Sequence, residues 1–183
     1  MAISAVQRGT ILMKTLFAAA AAAAMLVAAP AFAGEVSTYA NLTFDTLNTG
    51  GLNLQALGGR FGARGEHLGL EAEGSFGINE ADYGGATVKL NNQYGVYAVA
   101  FLPAGEDVDY FVRAGYGHAE VEASAGGGSA TGSDSMWAAG LGAQWFSQGG
   151  KNGVRFDVTH AWWDAGGDSD TISIAYVRKL GGK

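Results

Sequence analysis

His67-Leu68-Gly69-Leu70-Glu71-Ala72-Glu73-Gly74-Ser75-Phe76 is the stretch that decides the fold. Leu68, Leu70, Ala72 and Phe76 alternate with Glu71, Glu73 and Ser75. Successive side chains of an extended strand point to opposite faces, so a period of two marks a strand with one apolar and one polar side. No segment of helical period and useful length appears anywhere in residues 34–183.

Working outward from this stretch, seven more segments repeat the alternation, punctuated by glycine and aspartate. In the first, about Val36 to Asp45, Ala40, Leu42 and Phe44 oppose Tyr39, Asn41, Thr43 and Asp45. The second, about Leu52 to Ala63, sets Arg60 and Gly62 against Phe61 and Ala63, although its first half alternates poorly. A turn at Arg64-Gly65-Glu66 joins it to the third, the quoted stretch. The fourth runs about Lys89 to Leu102, the fifth Val108 to Glu122 and the sixth Ser135 to Phe146. The seventh spans Val154 to Trp163 and the eighth Thr171 to Leu180. A glycine- and serine-rich loop is expected over Ala125 to Ser133, and a hairpin turn at Gly149-Gly150-Lys151-Asn152-Gly153.

Strands with one apolar face fit either a soluble sheet, with that face inward, or a membrane barrel, with it toward lipid. Residue size separates the two. Gly115, Gly117, Gly140 and Gly142 lie on the polar faces of strands five and six. A water-facing surface gains nothing from them, whereas the narrow interior of an eight-stranded barrel needs small residues among large ones. Tyr110 and Trp145 fall beside short turns, and Trp137 and Trp162 toward the other end, as aromatic girdles require. Connections around 64–67, 103–107 and 148–153 are short, while those around 77–88 and 123–134 are expected to be long external loops. The fold expected is an all-β, eight-stranded antiparallel up-and-down transmembrane β-barrel.

The beginning of the chain reads differently. Lys14, an alanine-rich apolar run from Leu16 to Ala29, then Pro30 and Ala31-Phe32-Ala33 follow the charged, apolar and cleavable order of a secretory signal. The run is shorter than the roughly 20 residues of a membrane-spanning helix. Residues 1–33 are therefore expected to be a signal peptide cut between Ala33 and Gly34, with translation starting at Met1 or Met13, and residues 34–183 to be the barrel domain. That domain carries nine basic residues against seventeen acidic ones and no cysteine. The acidic balance disfavours a nucleic-acid partner, because phosphate binding needs a basic face. Without disulfides, stability is expected to come from hydrogen bonding around a closed sheet.

Leu57-Gly58-Gly59-Arg60-Phe61-Gly62, Leu68-Gly69-Leu70-Glu71-Ala72-Glu73-Gly74, Asn92-Gln93-Tyr94-Gly95-Val96-Tyr97 and Val112-Arg113-Ala114-Gly115-Tyr116-Gly117 follow one another along this chain. Together they resemble the small outer-membrane β-barrel proteins of the OmpA/OmpX type and the opacity-like barrels, over essentially all of residues 34–183. The resemblance implies an outer-membrane location, export through the periplasm, insertion by the barrel-assembly machinery and no enzymatic activity in most members. It also implies contact with outer-membrane lipid and lipopolysaccharide as a monomer. The chain departs from the pattern where such barrels end on an aromatic residue. Here the last strand closes on Leu180, followed by Gly181-Gly182-Lys183. With no peptidoglycan-binding segment read after the barrel, the cell-wall anchoring role of OmpA-type proteins is not expected to carry over.

By strand parity Asp45, Glu71, Glu73 and Asp157 point inward together with Arg60, Arg113, Arg155 and Lys179. Buried charges persist when paired, so a salt-bridge network plugging the lumen is expected, with a small-solute porin-like path as the alternative. No catalytic, cofactor or metal site is expected. His118 and His160 face outward near the outer rim, and a histidine with a nearby serine and acid is what lipid A-modifying barrels use. No serine has matching spacing on the same strand as either. Glu80, Asp82, Glu120, Glu122, Asp134, Asp164, Asp168 and Asp170 gather on the expected external side. Asp168-Ser169-Asp170 lacks the ligand count of a calcium loop, and these acids read as solvated external segments.

Overall fold

The computed structural model describes residues 36–148 and 150–181, and it is all β. The expected leader 1–33, with its cleavage site at Ala33 and Gly34, lies outside the described residues. The strands are β1 (Ser37–Thr49), β2 (Leu52–Arg64), β3 (Leu68–Gly77), β4 (Glu80–Tyr83), β5 (Ala86–Pro103), β6 (Val108–Ala125), β7 (Gly128–Phe146), β8 (Asn152–Trp163) and β9 (Asp168–Gly181). Each pairs antiparallel with its neighbours, β1 pairs with β9, and pairing of β3 with β5 closes the ring. Eight strands form the wall. β4 is a four-residue arm that pairs with the outer end of β5.

Closure satisfies the backbone groups that hydrocarbon could not, which is why a barrel can cross a membrane. Alternation then sorts the side chains. Leu42, Leu68, Val112, Leu141, Phe156 and Ile174 stand exposed on the outer surface, and Glu71, Arg113, Arg155 and Asp157 are buried inside. A soluble protein would not leave so large an apolar area uncovered. Trp137 and Trp145 bound this face on β7, each more than half exposed. Eight residues of strand separate them, roughly 26 Å along the chain and roughly 20 Å vertically at the usual tilt. Trp137 meets Trp162 of β8 in register and packs edge-on against Tyr116 of β6 at 5.1 Å.

Three corrections concern the connections and the interior. First, the long external loops do not exist. Ala125 pairs with Gly128 across Gly126 and Gly127, whose φ angles of 58° and 85° make a two-residue turn that only glycine enters cheaply. Gly50-Gly51, Gly84-Gly85 and Gly166-Gly167 turn the other three hairpins at this end. The small residues of 123–134 therefore read as loop by composition, but they run in unbroken register as strand. Second, the turn at 149–153 is shorter than expected, because Asn152 and Gly153 already belong to β8, and neither Gly150 nor Gly153 has a positive φ. Third, the lumen is not uniformly polar. Tyr39, Tyr97, Phe101, Phe111, Phe146 and Val177 pack inside toward the periplasmic end, and Leu47, Leu54, Leu90 and Ala119 inside toward the outer end. Leu54 and Ala56 face inward and Asn53 and Gln55 outward, so the first half of β2 turns its polar side out, opposite in sense to Arg60 and Phe61 further along.

Candidate functional site in the barrel lumen

Between the two apolar clusters lies a core of charge. Arg60 comes from β2, Glu71 and Glu73 from β3, Arg113 from β6, and Arg155 and Asp157 from β8; alternation turns all six inward. Inward glycines leave room for the bulk around them: a Cβ on Gly142 would lie 2.5 Å from the Phe111 ring, and one on Gly95 2.9 Å from the Tyr97 ring.

Arg155 grips Glu71 with both terminal nitrogens, Nη1 to Oε2 at 2.7 Å and Nη2 to Oε1 at 3.3 Å. The Tyr39 hydroxyl donates to the same Oε2 at 3.0 Å. Arg60 donates through Nη1 to Asp157 Oδ2 at 2.6 Å and through Nη2 to Ser173 Oγ at 2.9 Å, while its Nε lies 3.1 Å from Glu73 Oε2. Arg113 donates to Glu73 Oε2 at 2.5 Å. Its Nη1 stands 3.4 Å from Glu71 Oε1 as a charge contact without hydrogen-bond geometry. Two guanidiniums also lie over aromatic rings, Arg113 at 3.6 Å from Tyr97 and Arg155 at 4.0 Å from Phe111. Charge-assisted bonds and ring faces replace the water that these cations give up.

The structure brings together seven of the eight residues placed in the lumen by parity. Asp45 is the loosest member, 3.8 Å from Arg60 and held by Thr43 Oγ1 at 3.0 Å. Lys179 is not among them. It lies nearer the periplasmic end, where its Nζ sits 3.9 Å from the Phe146 ring, and it makes no ion pair among the described residues. Parity gives the side a residue faces but not its depth, and Arg155 already occupies the place beside Glu71. Sequence reading missed Arg64. It continues the inward parity of Arg60 and Gly62, and its Nη1 pairs with Asp109 at 2.6 Å, with Gln144 donating to the same oxygen at 2.8 Å. Extending β2 by one residue would have found it.

Beside Asp45 a cavity of about 30 Å³ is lined by Thr159, Gln93, Arg113 and Leu90, room for about two water molecules. The buried Thr159 Oγ1 and Asp45 Oδ1 have no hydrogen-bond partner in the protein. Leu47 and Leu90 also line this pocket toward the outer end, and Phe101 and Phe111 pack on its inner side.

On the outer surface, the cross-strand register supplies what strand spacing did not. His118 of β6 faces Ser135 of β7, with Nδ1 3.1 Å from Oγ. Glu120, on the same face, accepts from Asn91 and Asn92 at 3.3 and 3.4 Å rather than from the histidine. His160 Nδ1 lies 2.8 Å from Asp170 Oδ1 on β9. The serine contact and the acid contact thus belong to different histidines on different strand pairs.

Several solved structures share this architecture. The chain is similar to Ail, the attachment invasion locus protein of Yersinia pestis, crystallised with the heparin analogue sucrose octasulfate; it is 17% identical, covering 80% of this chain and 99% of that one, with a TM-score of 0.57. Neisserial surface protein A is 12% identical over 79% of this chain and 97% of its own, with a TM-score of 0.59. The N-terminal β-barrel domain of Pseudomonas aeruginosa OprF is 12% identical over 77% and 96%, with a TM-score of 0.58. At these identities the likeness speaks for the fold. No curated protein sequence matches. The model of the outer membrane protein beta-barrel domain matches residues 17–179, which also places the protein in the outer membrane. The chain belongs to the outer membrane protein beta-barrel domain family.

Proposed function

We propose that the protein is a closed barrel of the outer membrane, without solute conduction, whose role is structural or lies in what its external hairpins present at the cell surface. The observation that carries this reading is the three-layered lumen: an apolar cluster at each end and fully buried, paired Arg155, Glu71 and Asp157 between them. An ion entering would have to displace well-packed apolar groups and then compete with short charge-assisted bonds. On this reading the outward face contacts outer-membrane lipid and lipopolysaccharide, the barrel-assembly machinery inserts the chain, and the protein acts as a monomer without a nucleic-acid partner.

The protein is also read as having no enzymatic activity. What supports this is the divided histidine chemistry, since a serine nucleophile works with a histidine that a third group orients. Planar-bilayer recording with purified folded protein tests the proposal. A silent membrane is expected for the wild type and for Arg60→Gln. Steady unitary conductance from the wild type would overturn it in favour of a small-solute channel.

A further inference from the structure

The wall of the barrel is uneven in height. β7 continues nine residues beyond Trp137, to Gly128, roughly 30 Å of strand past the aromatic girdle. Its other neighbour, β8, stops pairing where Met136 meets Trp163. Among the described residues, no strand therefore lies against Gly128–Asp134 on the side away from β6.

Hairpin geometry says which backbone groups this leaves free. In a two-residue turn the flanking pair, Ala125 and Gly128, exchanges both hydrogen bonds, and bonded pairs then alternate with unbonded ones. Residues 130, 132 and 134 bond to β6, and the N–H and C=O groups of Ser129, Thr131, Ser133 and Ser135 point away. Ser135 confirms the parity, since its carbonyl accepts from Asp164 N at 2.9 Å on that side. Ser129, Thr131 and Ser133 keep an open edge of six polar backbone groups.

Open edges are normally blunted with charge, proline or a bulge, because they template pairing with another chain. The free edge of the four-residue arm β4 is so protected: the same parity puts Glu80 and Asp82 on it, both exposed. The β7 edge carries two serines and a threonine, and its pairing with β6 has no register shift. It is kept straight and uncharged.

Charge selects the occupant. The eight acids from Glu80 to Asp170 on this end of the barrel face one base, Lys89. Glu120 and Glu122 stand in register with Ser133 and Thr131, one strand in from the edge, and Asp164 stands at its base. Strands lie about 4.8 Å apart, so an added strand places its side chains within a Debye length of about 8 Å of these carboxylates or near it. We infer that the Ser129–Ser133 edge of β7 captures an extended segment of another polypeptide bearing basic side chains at alternate positions, by strand addition. This rests on the surface-interaction reading above and gives it a site and a ligand class.

The test uses the full protein in nanodiscs and a short synthetic peptide alternating lysine and threonine, followed by fluorescence anisotropy. Binding is expected, weakening as salt rises. N-methylation of alternate peptide nitrogens, and separately Thr131→Pro, should each weaken it about tenfold or more, since both remove edge bonding. Proline at 131 removes an N–H that β6 does not use, so the hairpin keeps its ladder. If that variant nevertheless fails to fold, the N-methylated peptide carries the same test. A glutamate–threonine peptide should not bind. The inference is overturned if the lysine peptide does not bind, if N-methylation leaves binding unchanged, or if the glutamate peptide binds equally well. Absence of peptide binding by a barrel silent in bilayers overturns the edge alone, whereas conductance overturns the broader reading.

Discussion

Arg155 and Glu71 meet across the lumen from β8 and β3, 84 residues apart in the chain, through two hydrogen bonds of 2.7 and 3.3 Å. Neither side chain has any exposed surface. The pair ties one side of the barrel to the other, and its removal has a definite sign. Glu71→Ala takes away the bidentate partner of Arg155, leaving it Asp157 at 3.3 Å, and also deprives the Tyr39 hydroxyl of its acceptor. Leaving one partner of a buried pair uncompensated costs about 3–5 kcal/mol. Because Asp157 still faces Arg155, urea unfolding in detergent, followed by tryptophan fluorescence, should show a loss at the lower end of that range, about 3 kcal/mol. Glu71→Gln keeps an acceptor for both donors and should lose less. Equal stability of Glu71→Ala and wild type would contradict the burial of the pair.

The small residues that leave space for the charges make a second prediction. An alanine Cβ at Gly142 would meet the Phe111 ring at 2.5 Å and Asp157 Cβ at 2.7 Å, with the Phe156 carbonyl closer still. Backbone cannot yield as a flexible chain end can, so Gly142→Ala should destabilise by about 1–3 kcal/mol. At Gly59 the nearest atom to an added Cβ is the Asn41 carbonyl oxygen at 3.7 Å, an ordinary contact. Gly59→Ala should therefore be close to neutral in the same unfolding experiment. A reversed order would mean that the lumen is looser than its packing indicates.

These two sites also show what could be read before the fold was known. The inward direction of Glu71 and Gly142 follows from a period of two, a local property that survives folding intact. Depth does not follow: Lys179 shares the inward parity yet sits over the Phe146 ring, out of reach of the acids. Strand ends are equally hard to place. β2 runs one residue further than its turn composition suggests, and that residue is Arg64. In residues 123–134, the lack of bulky residues masked a ladder held by backbone bonds alone. The His118–Ser135 contact depends on the stagger between β6 and β7, which is set by Gly126-Gly127 and not by spacing on either strand.

That contact bears on chemistry in the lipid. If the protein has no hydrolytic role, His118→Ala and His160→Ala should leave lipid A unchanged in cells that overproduce each variant. Mass spectrometry of extracted lipid A provides the measurement. Loss of an acyl chain in cells with the wild-type protein, abolished by His118→Ala or Ser135→Ala, would show that the split arrangement is competent after all.

The last prediction fixes where the membrane lies. Leu141 stands midway between Trp137 and Trp145 on β7, facing outward and 66% exposed. If the two tryptophans mark the interfaces, Leu141 is at the middle of the hydrocarbon. Arginine there should cost about 2–4 kcal/mol of folding free energy into lipid. Ser133 shares the strand and the outward parity but lies four residues beyond Trp137 toward the Gly126-Gly127 turn, fully outside that band. Ser133→Arg should cost little, since a charge near or beyond the interface costs only about 0–1 kcal/mol. The comparison separates a membrane barrel from a soluble one because both positions are already exposed. In water, replacing an exposed leucine by arginine has no reason to cost more than replacing an exposed serine. Equal effects of Leu141→Arg and Ser133→Arg on folding into vesicles would therefore remove the lipid from around β7, and with it the assignment of its apolar face.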